Sequence, residues 1–382
     1  MLNIAVCGKF HYPKYLRYLH QENFLENFYC SYKIGESFGI PQEKNRNRFL
    51  KEYLYNLHMR TLGDRGLMEM APVYHRLWQD SVKRIFRPAD VNHFMIHGNC
   101  IDLIELCKQD RRLTIGEAVN AHPVYQDTLL EEEAKARGVR HYTNARITNT
   151  MLEEFDAIDY LLVSSQFVKR TFVERGYDER KIITLPYGVD AAPAKVAETS
   201  SARRRDDDII RILCVGQICI RKGQYYLLEA IKLLNQSGLK KKFHLTLVGR
   251  PEAAYMKSLA ALSDDFEHVS HIENKEMIKF MSGFDMFVLP SLEDGFSVVV
   301  TEALSAGLPV ITTANNGAAD IIRDGDNGVV VPAGDSRALK SAIERVLDEK
   351  ISGKKTNLSS WQDYARQLKA ECENMLAGRT HE

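Results

Sequence analysis

Two carboxylates, Asp294 and Glu302, lie eight positions apart within VLPSLEDGFSVVVTEALSAG, residues 288–307. The run starts from apolar Phe287, Val288 and Leu289, breaks at Pro290-Ser291, and passes through a polar loop with two acids and Gly295. This reads as a strand and a loop, then a helix from near Phe296 to Gly307. Such a junction holds phosphate, because free backbone N–H groups and the positive end of the helix dipole converge on one spot. The amides of Gly295, Phe296, Ser297 and Val298 are the ones on offer. With Glu302 two turns into that helix, both carboxylates can flank an anion without neutralising it. One would face a sugar ring and the other a ribose, as a nucleotide-sugar requires. Asp294 taken alone reads equally well as a solvated helix-start acid. Glu302 reads so less readily, since it interrupts the apolar set Val298, Val299, Val300, Ala303 and Leu304.

Cationic candidates come next. Lys222, in Ile220-Arg221-Lys222-Gly223 after the strand-like RILCVG, sits beside a glycine at a helix start. That suits a diphosphate, although a surface lysine lying along apolar neighbours is the common alternative. Arg221 and Arg250, the latter following LTLVG, are even candidates for the same role or for plain surface positions. In the first half, Gly8-Lys9-Phe10-His11 ends the first strand and could be an ordinary turn. His122 follows EAVNA, precedes Pro123 and opens a helix, so it should face a cleft. The alternative is an N-capping or core-edge histidine. Asn316-Gly317 reads as a tight loop, compatible with helix capping by Asn316. Glu131, Glu132 and Glu133 read as a solvated helix face. No Asp, Glu or His cluster at ligand spacing stands among these residues, so no metal is expected.

The elements that must position these groups alternate strand with helix, which implies α/β architecture with parallel, doubly wound sheets. NIAVCG, VNHFMIHG, RLTIGEAV, YLLVSS and KIITLPYG are the strand candidates of the first half; RILCVG, FHLTLVG, VSHIE, MFVLPS, LPVITTA and GVVVPA are those of the second. Between them Ala191–Asp208, rich in small, proline and charged residues, reads as a linker. This divides the chain into domains 1–195 and 205–360. In open α/β sheets ligands sit beyond the carboxyl ends of the strands. Two such domains facing each other form a cleft, donor on the second and acceptor on the first. The last segment, from about Trp361, is helical with a serine cap and a glycine stop.

Composition fits two soluble domains: 382 residues, 45% hydrophobic, 27% charged, formal net charge zero. Nothing in that balance suggests a nucleic-acid binder. No apolar run approaches bilayer length, and MLNIAVCGKF reads as a first strand rather than a signal peptide. Seven scattered cysteines read as buried thiols of a reducing, cytoplasmic compartment. Residues 44–87 mix Lys and Arg with aromatics. They read either as core-covering helix or as a basic amphipathic surface for an anionic membrane.

The block Pro290, Ser291, Asp294, Gly295, Phe296, Glu302, Ala303 and Gly307 resembles the signature of retaining glycosyltransferase family 4. Three further stretches resemble it in the same order: Leu161–Asp190, Val215–Ile231 and Asn315–Asp335. The resemblance implies the GT-B fold, two Rossmann-like domains facing across a cleft, with the final helix, 361–382, crossing back to the first domain. It implies a retaining glycosyltransferase that moves sugar from a UDP- or GDP-linked donor to a glycan or lipid-linked acceptor, in bacterial surface polysaccharide synthesis. No cofactor beyond the donor is implied. By the same resemblance Glu302 holds the ribose, Asp294 the hydroxyls of the transferred sugar, and His122 stands beside the reaction centre. Lys222 clamps the diphosphate, and Gly8 lies near the donor phosphate. Retention would run by a front-face route. The family usually has arginine where this chain has Gln217, and more often glutamate at Asp294 and Asp320. Arg221 or Arg250 would then compensate. A non-catalytic relative that binds nucleotide or glycan as a scaffold is the alternative.

Overall fold

The computed structural model describes residues 1–32, 38–63, 65–190, 208–238, 240–263, 265–353 and 358–379. The first sheet contains β1 (Leu2–Val6), β2 (Leu25–Cys30), β3 (Val91–Met95), β4 (Leu113–Ala118), β5 (Tyr160–Val163) and β6 (Ile182–Thr184). The second contains β7 (Ile209–Val215), β8 (Lys242–Val248), β9 (Phe266–Val269), β10 (Met286–Leu289), β11 (Val310–Thr313) and β12 (Gly328–Val331). Their orders are β2-β1-β3-β4-β5-β6 and β12-β11-β10-β7-β8-β9, and every pairing is parallel. Parallel strands are covered by helices on both faces, so β1, β3 and β10 are buried along their whole length.

The helices of the first half are α1 (Leu16–Gln21), α2 (Leu50–Thr61), α3 (Leu67–Lys83), α4 (Ile101–Gln109), α5 (Pro123–Arg137), α6 (Ala145–Ala157) and α7 (Gln166–Val173). Those of the second are α8 (Gln224–Gln236), α9 (Ala253–Leu262), α10 (Asn274–Met281), α11 (Val298–Ser305), α12 (Ser336–Asp348) and α13 (Trp361–Arg379). Local chemistry sets several starts. The Ser165 hydroxyl accepts from the Val168 amide at 3.2 Å to open α7. Asp335 accepts from the Arg337 and Ala338 amides, each at 2.9 Å, to open α12.

Strand order reverses between β1 and β3 in one sheet and between β7 and β10 in the other. Ligand crevices form at such switch points, beyond the carboxyl ends of the strands. The loops there are 7–11 and 216–222 together with 290–297, which include most of the candidate residues. α13 packs against the first sheet's side. Trp361 and Tyr364 join Tyr15, Tyr187 and His11 in one aromatic cluster, and Arg379 reaches Asp159 at 2.8 Å.

Three expectations need correction. The edge strand β2, LENFYC with Glu26 and Asn27 inside it, is not among the expected strands; pairing with β1 reveals it. The strand expected at VSHIE lies earlier, at Phe266–Val269, because Val269 already pairs with the last residue of β8. α11 begins at Val298, so Glu302 stands one turn in, not two. The expected linker Ala191–Asp208 falls outside the described residues except for Asp208. The stretch 44–87 contains α2 and α3, with Trp78 in the core, yet Phe49, Tyr53 and Leu57 stand exposed at four-residue spacing. All seven cysteines are buried and free. Among the described residues no helix is long and apolar enough to cross a membrane.

Candidate active site

The site is built where the short 3-10 turn Ile220–Lys222 meets the loop after β10. Backbone contacts lock the two together. The Leu292 amide donates to the Arg221 carbonyl at 2.9 Å. Gly223, in the left-handed region at φ +65°, brings its Cα so near Pro290 that a Cβ would sit 2.2 Å from the Pro290 carbonyl oxygen. Only glycine satisfies both constraints.

This contact delivers Lys222 to Asp294. The buried ammonium donates to Asp294 Oδ2 and reaches Ser297 Oγ at 3.4 Å. Ser297 Oγ itself donates to Asp294 Oδ2. Arg221 Nη1 lies 3.6 Å from Asp294 Oδ1 and donates to the Glu293 carbonyl at 3.1 Å. Burial by itself would raise the Asp294 carboxyl, but Lys222, Arg221 and the Ser297 hydroxyl hold it below the ordinary carboxylate range. Two cations and two carboxylates thus balance under the N-terminus of α11. Arg221 is the arginine that joins this set. Arg250 is exposed and makes no ion pair among the described residues. Gln217 is exposed too, with its amide donating to Glu252 Oε1 at 3.2 Å.

Glu293 joins the site without being among the residues expected from the sequence. It is fully buried. Its Oε1 accepts from the Ala121 amide at 2.8 Å and its Oε2 from Gln126 Nε2 at 2.6 Å. Arg221 Nη1 lies 3.4 Å from the same Oε2. The residue therefore ties the second sheet's loop to the first domain. Its one sequence signal is an acid next to Asp294 in the loop between an apolar strand and an apolar helix.

Gly295 completes the closure. A Cβ there would meet the Val119 carbonyl oxygen at 1.9 Å, and the Gly295 carbonyl accepts from the Ser164 and Ser165 hydroxyls at 3.0 and 2.9 Å. Phe296 packs edge-on against Tyr187 with centroids 5.4 Å apart. Val298 begins α11, half-buried. The Asn316 Oδ1 accepts from the Ala318 amide at 3.0 Å and from the Ser297 amide at 3.4 Å, so it caps one turn and steadies the other. Asp320 Oδ2 accepts from the Gln166 amide at 2.7 Å, at the start of α7.

Glu302 is half-buried, and burial raises its carboxyl against the opposing pull of Lys14, with Asp190 adding to the rise. It faces first-domain charges, apart from the Lys222 cluster. Gly8, at φ +132°, lies two residues past β1, and its carbonyl accepts from Tyr12 OH at 3.1 Å.

His122 does not join the charged set. Its ring is buried edge-on against Phe172 and Tyr177, and Nδ1 accepts from the Val124 amide at 3.3 Å as the cap of α5. Burial, then the nearby Arg175, lower its pKa to about 4, which Asp156 only partly opposes. The imidazole expected at the reaction centre is a neutral capping group, and its loop meets the site through Val119 and Ala121 backbone instead. Glu133 also departs from expectation: it is half-buried, accepting from Tyr226 OH at 2.7 Å across the domains and pairing with Arg137.

On the first domain, a cavity of about 210 Å³ opens between α3, the loop after β3 and α6, lined among others by Arg76, Gln79, Asn99, Arg146 and Thr150. Asn99 is buried and its Nδ2 has no partner. Among the described residues no group of three or more His, Cys, Asp or Glu side chains is arranged to hold a metal ion.

Residues 210–349 match the family model described as Glycosyl transferases group 1. The D-inositol 3-phosphate glycosyltransferase of Geodermatophilus obscurus is 27% identical over 241 residues, 59% of this chain and 53% of that protein. The amylovoran biosynthesis glycosyltransferase AmsK of Erwinia amylovora is 27% identical over 200 residues, 49% of this chain and 47% of that protein. The chain thus spans about half the length of these curated relatives. Sucrose-phosphate synthase from Thermosynechococcus elongatus superposes with a TM-score of 0.65 at 17% identity, covering 99% of this chain and all of that one. Anabaena HepE, solved with UDP and glucose, superposes with a TM-score of 0.58 at 14% identity, covering 100% and 99%. The fold is GT-B, and the second domain carries the group 1 glycosyltransferase match.

Proposed function

We propose that this chain is a retaining, family 4-type glycosyltransferase that moves a sugar from a UDP- or GDP-linked donor to a glycan or lipid-linked acceptor. The observation that supports this most is Lys222 held against Asp294 beneath the N-terminus of α11, with Arg221 alongside. A diphosphate entering there meets an ammonium, a guanidinium and helix-start amides, three groups suited to leaving-group charge. It competes with Asp294 for the ammonium. Once released, the Asp294 carboxylate is free to accept from sugar hydroxyls, while Glu302 accepts from the ribose. In the front-face route the bond from the anomeric carbon to the diphosphate breaks. The acceptor oxygen bonds to the same face, and its proton passes to the departing diphosphate. Protein cations meet the charge, so no metal is required. The cavity at Asn99 and Arg146 offers polar groups for the acceptor.

Relatives such as AmsK support a role in surface polysaccharide synthesis, with the enzyme working on the cytoplasmic side of a membrane. The exposed Phe49, just before α2, and Tyr53 and Leu57 on it support peripheral contact with the bilayer.

A second reading, a scaffold that binds nucleotide without turnover, draws on two observations: His122 is buried as a cap, and Lys222 is already neutralised by Asp294. Incubation with UDP- and GDP-sugars without acceptor separates the two. Slow release of nucleoside diphosphate, lost in Lys222→Ala, is expected of the transferase. Thermal stabilisation by nucleotide with no release at all would mark the scaffold.

A further inference from the structure

The geometry points to a second anion site, at the outer edge of the first sheet. Residues 45–48 run beside β2: the Arg46 amide donates to the Phe28 carbonyl and the Arg48 amide to the Cys30 carbonyl, each at 2.8 Å. Asn27 and Tyr29, two apart on β2, share one face of the strand. The chain after α3 returns Arg84 and Arg87 to the same place. Together they line an open pocket of about 430 Å³.

Four arginines, Arg46, Arg48, Arg84 and Arg87, line that pocket. Among the described residues none of the four forms an ion pair, whereas Arg76, Arg112, Arg137, Arg345 and Arg379 all do. The contacts they do make are to neutral groups. Arg46 Nε donates to Asn27 Oδ1 at 3.2 Å, Arg48 Nη1 to the Asn47 carbonyl at 3.0 Å, and Arg87 Nη1 to the Phe86 carbonyl at 2.8 Å. Asp90, in the following turn, is already committed to the N-terminal ammonium at 3.0 Å and to Arg112 at 2.7 Å. Like charges gathered without a counter-ion repel one another, and an anion of more than one charge relieves that repulsion. Planar guanidinium forks match the oxygens of phosphate in particular. The pocket takes a phosphate group, carried either by an anionic lipid headgroup or by a soluble phosphate. Phe49 and Leu50, both exposed, follow directly on Arg48 and would lie at the acyl boundary of a lipid source. The site stands apart from Lys222 and Asp294 and holds whether or not sugar transfer occurs there.

The test compares the full chain with the double variant Arg46→Gln/Arg84→Gln and the single variant Arg48→Gln. Circular dichroism and nucleotide-induced thermal shift serve as controls for folding. Two probes are used: co-sedimentation with phosphatidylcholine vesicles with and without phosphatidylglycerol, and the thermal shift produced by inorganic pyrophosphate against chloride of equal ionic strength. Wild type should bind at least one probe, and the double variant should lose about tenfold in affinity while its nucleotide response stays the same. Binding to phosphatidylglycerol vesicles alone assigns the lipid source, and a pyrophosphate response alone assigns the soluble one. Folded variants that bind as well as wild type, or a wild type that responds to neither probe, overturn the site.

Discussion

Glu293 and Gln126, one on the loop after β10 and the other on α5, meet across the two domains with Nε2 donating to Oε2 at 2.6 Å. The same carboxylate accepts from Ala121 and lies beside Arg221. One fully buried side chain thus couples the loop after β10 to the first domain. Glu293→Ala should leave the Ala121 amide and the Gln126 side-chain amide without their acceptor, at a cost of about 3 kcal/mol. Chemical denaturation should record that loss, and small-angle scattering a more open molecule. Unchanged stability together with unchanged shape would show that the bridge contributes nothing.

Lys222→Ala should depress turnover about a hundredfold or more while weakening free nucleoside binding much less, because the charge it meets grows as the diphosphate departs. Steady-state kinetics beside calorimetry with the nucleoside reads both. Gln217→Arg is expected to gain little, since Arg221 already occupies the site.

Glu302→Ala should weaken nucleoside diphosphate binding by roughly 2–3 kcal/mol, the contribution of a charged hydrogen bond. The fold should persist, because the Glu302 carboxylate is only half-buried and has no hydrogen-bonded partner among the described residues to orphan. Calorimetric affinity equal to wild type would remove it from the ribose.

His122 offers a pH experiment. Its folded pKa, about 4, lies below the ordinary histidine value. The contribution to stability is present above about pH 6.5 and is lost as pH falls toward 4. His122→Asn retains a capping acceptor without the titrating ring, so the gap in Tm between wild type and variant should shift in favour of the variant across that window. A constant gap would mean the ring is not buried neutral. If turnover of His122→Asn remains within severalfold of wild type at pH 7.5, the residue acts through its cap and not as an acid or base.

Gly295→Ala places a methyl group 1.9 Å from the Val119 carbonyl oxygen, a clash between two backbones that neither rotamer changes nor flexible side chains can relieve. The variant should fold domain by domain yet close poorly. Limited proteolysis faster than wild type, with activity strongly reduced, is the expected result; wild-type activity would show that closure tolerates the displacement.

By itself the sequence determined the alternation of apolar strands with helices, the strand–loop–helix at 288–307, the pairing of Lys222 with a helix start, and the final helix. Each is local. Buried parallel strands read as apolar runs, glycine and proline mark the turns, and serine and aspartate mark the caps. The contacts that make a site are not local. Lys222 meets Asp294 across 72 positions, and Glu293 meets Ala121 across 172. The choice of Arg221 over Arg250 turned on which side of a 3-10 turn faces the loop after β10. The same HPVY segment fits a cleft histidine or a cap, and only the rings of Phe172 and Tyr177 decided for the cap. Likewise the arginine pocket gathers residues from three separate segments, 27–29, 45–48 and 84–87, that share no pattern. Local backbone preference acts over a few residues, whereas charge pairing and ring packing depend on which distant segments the two sheets bring within reach. Tertiary structure alone settles those.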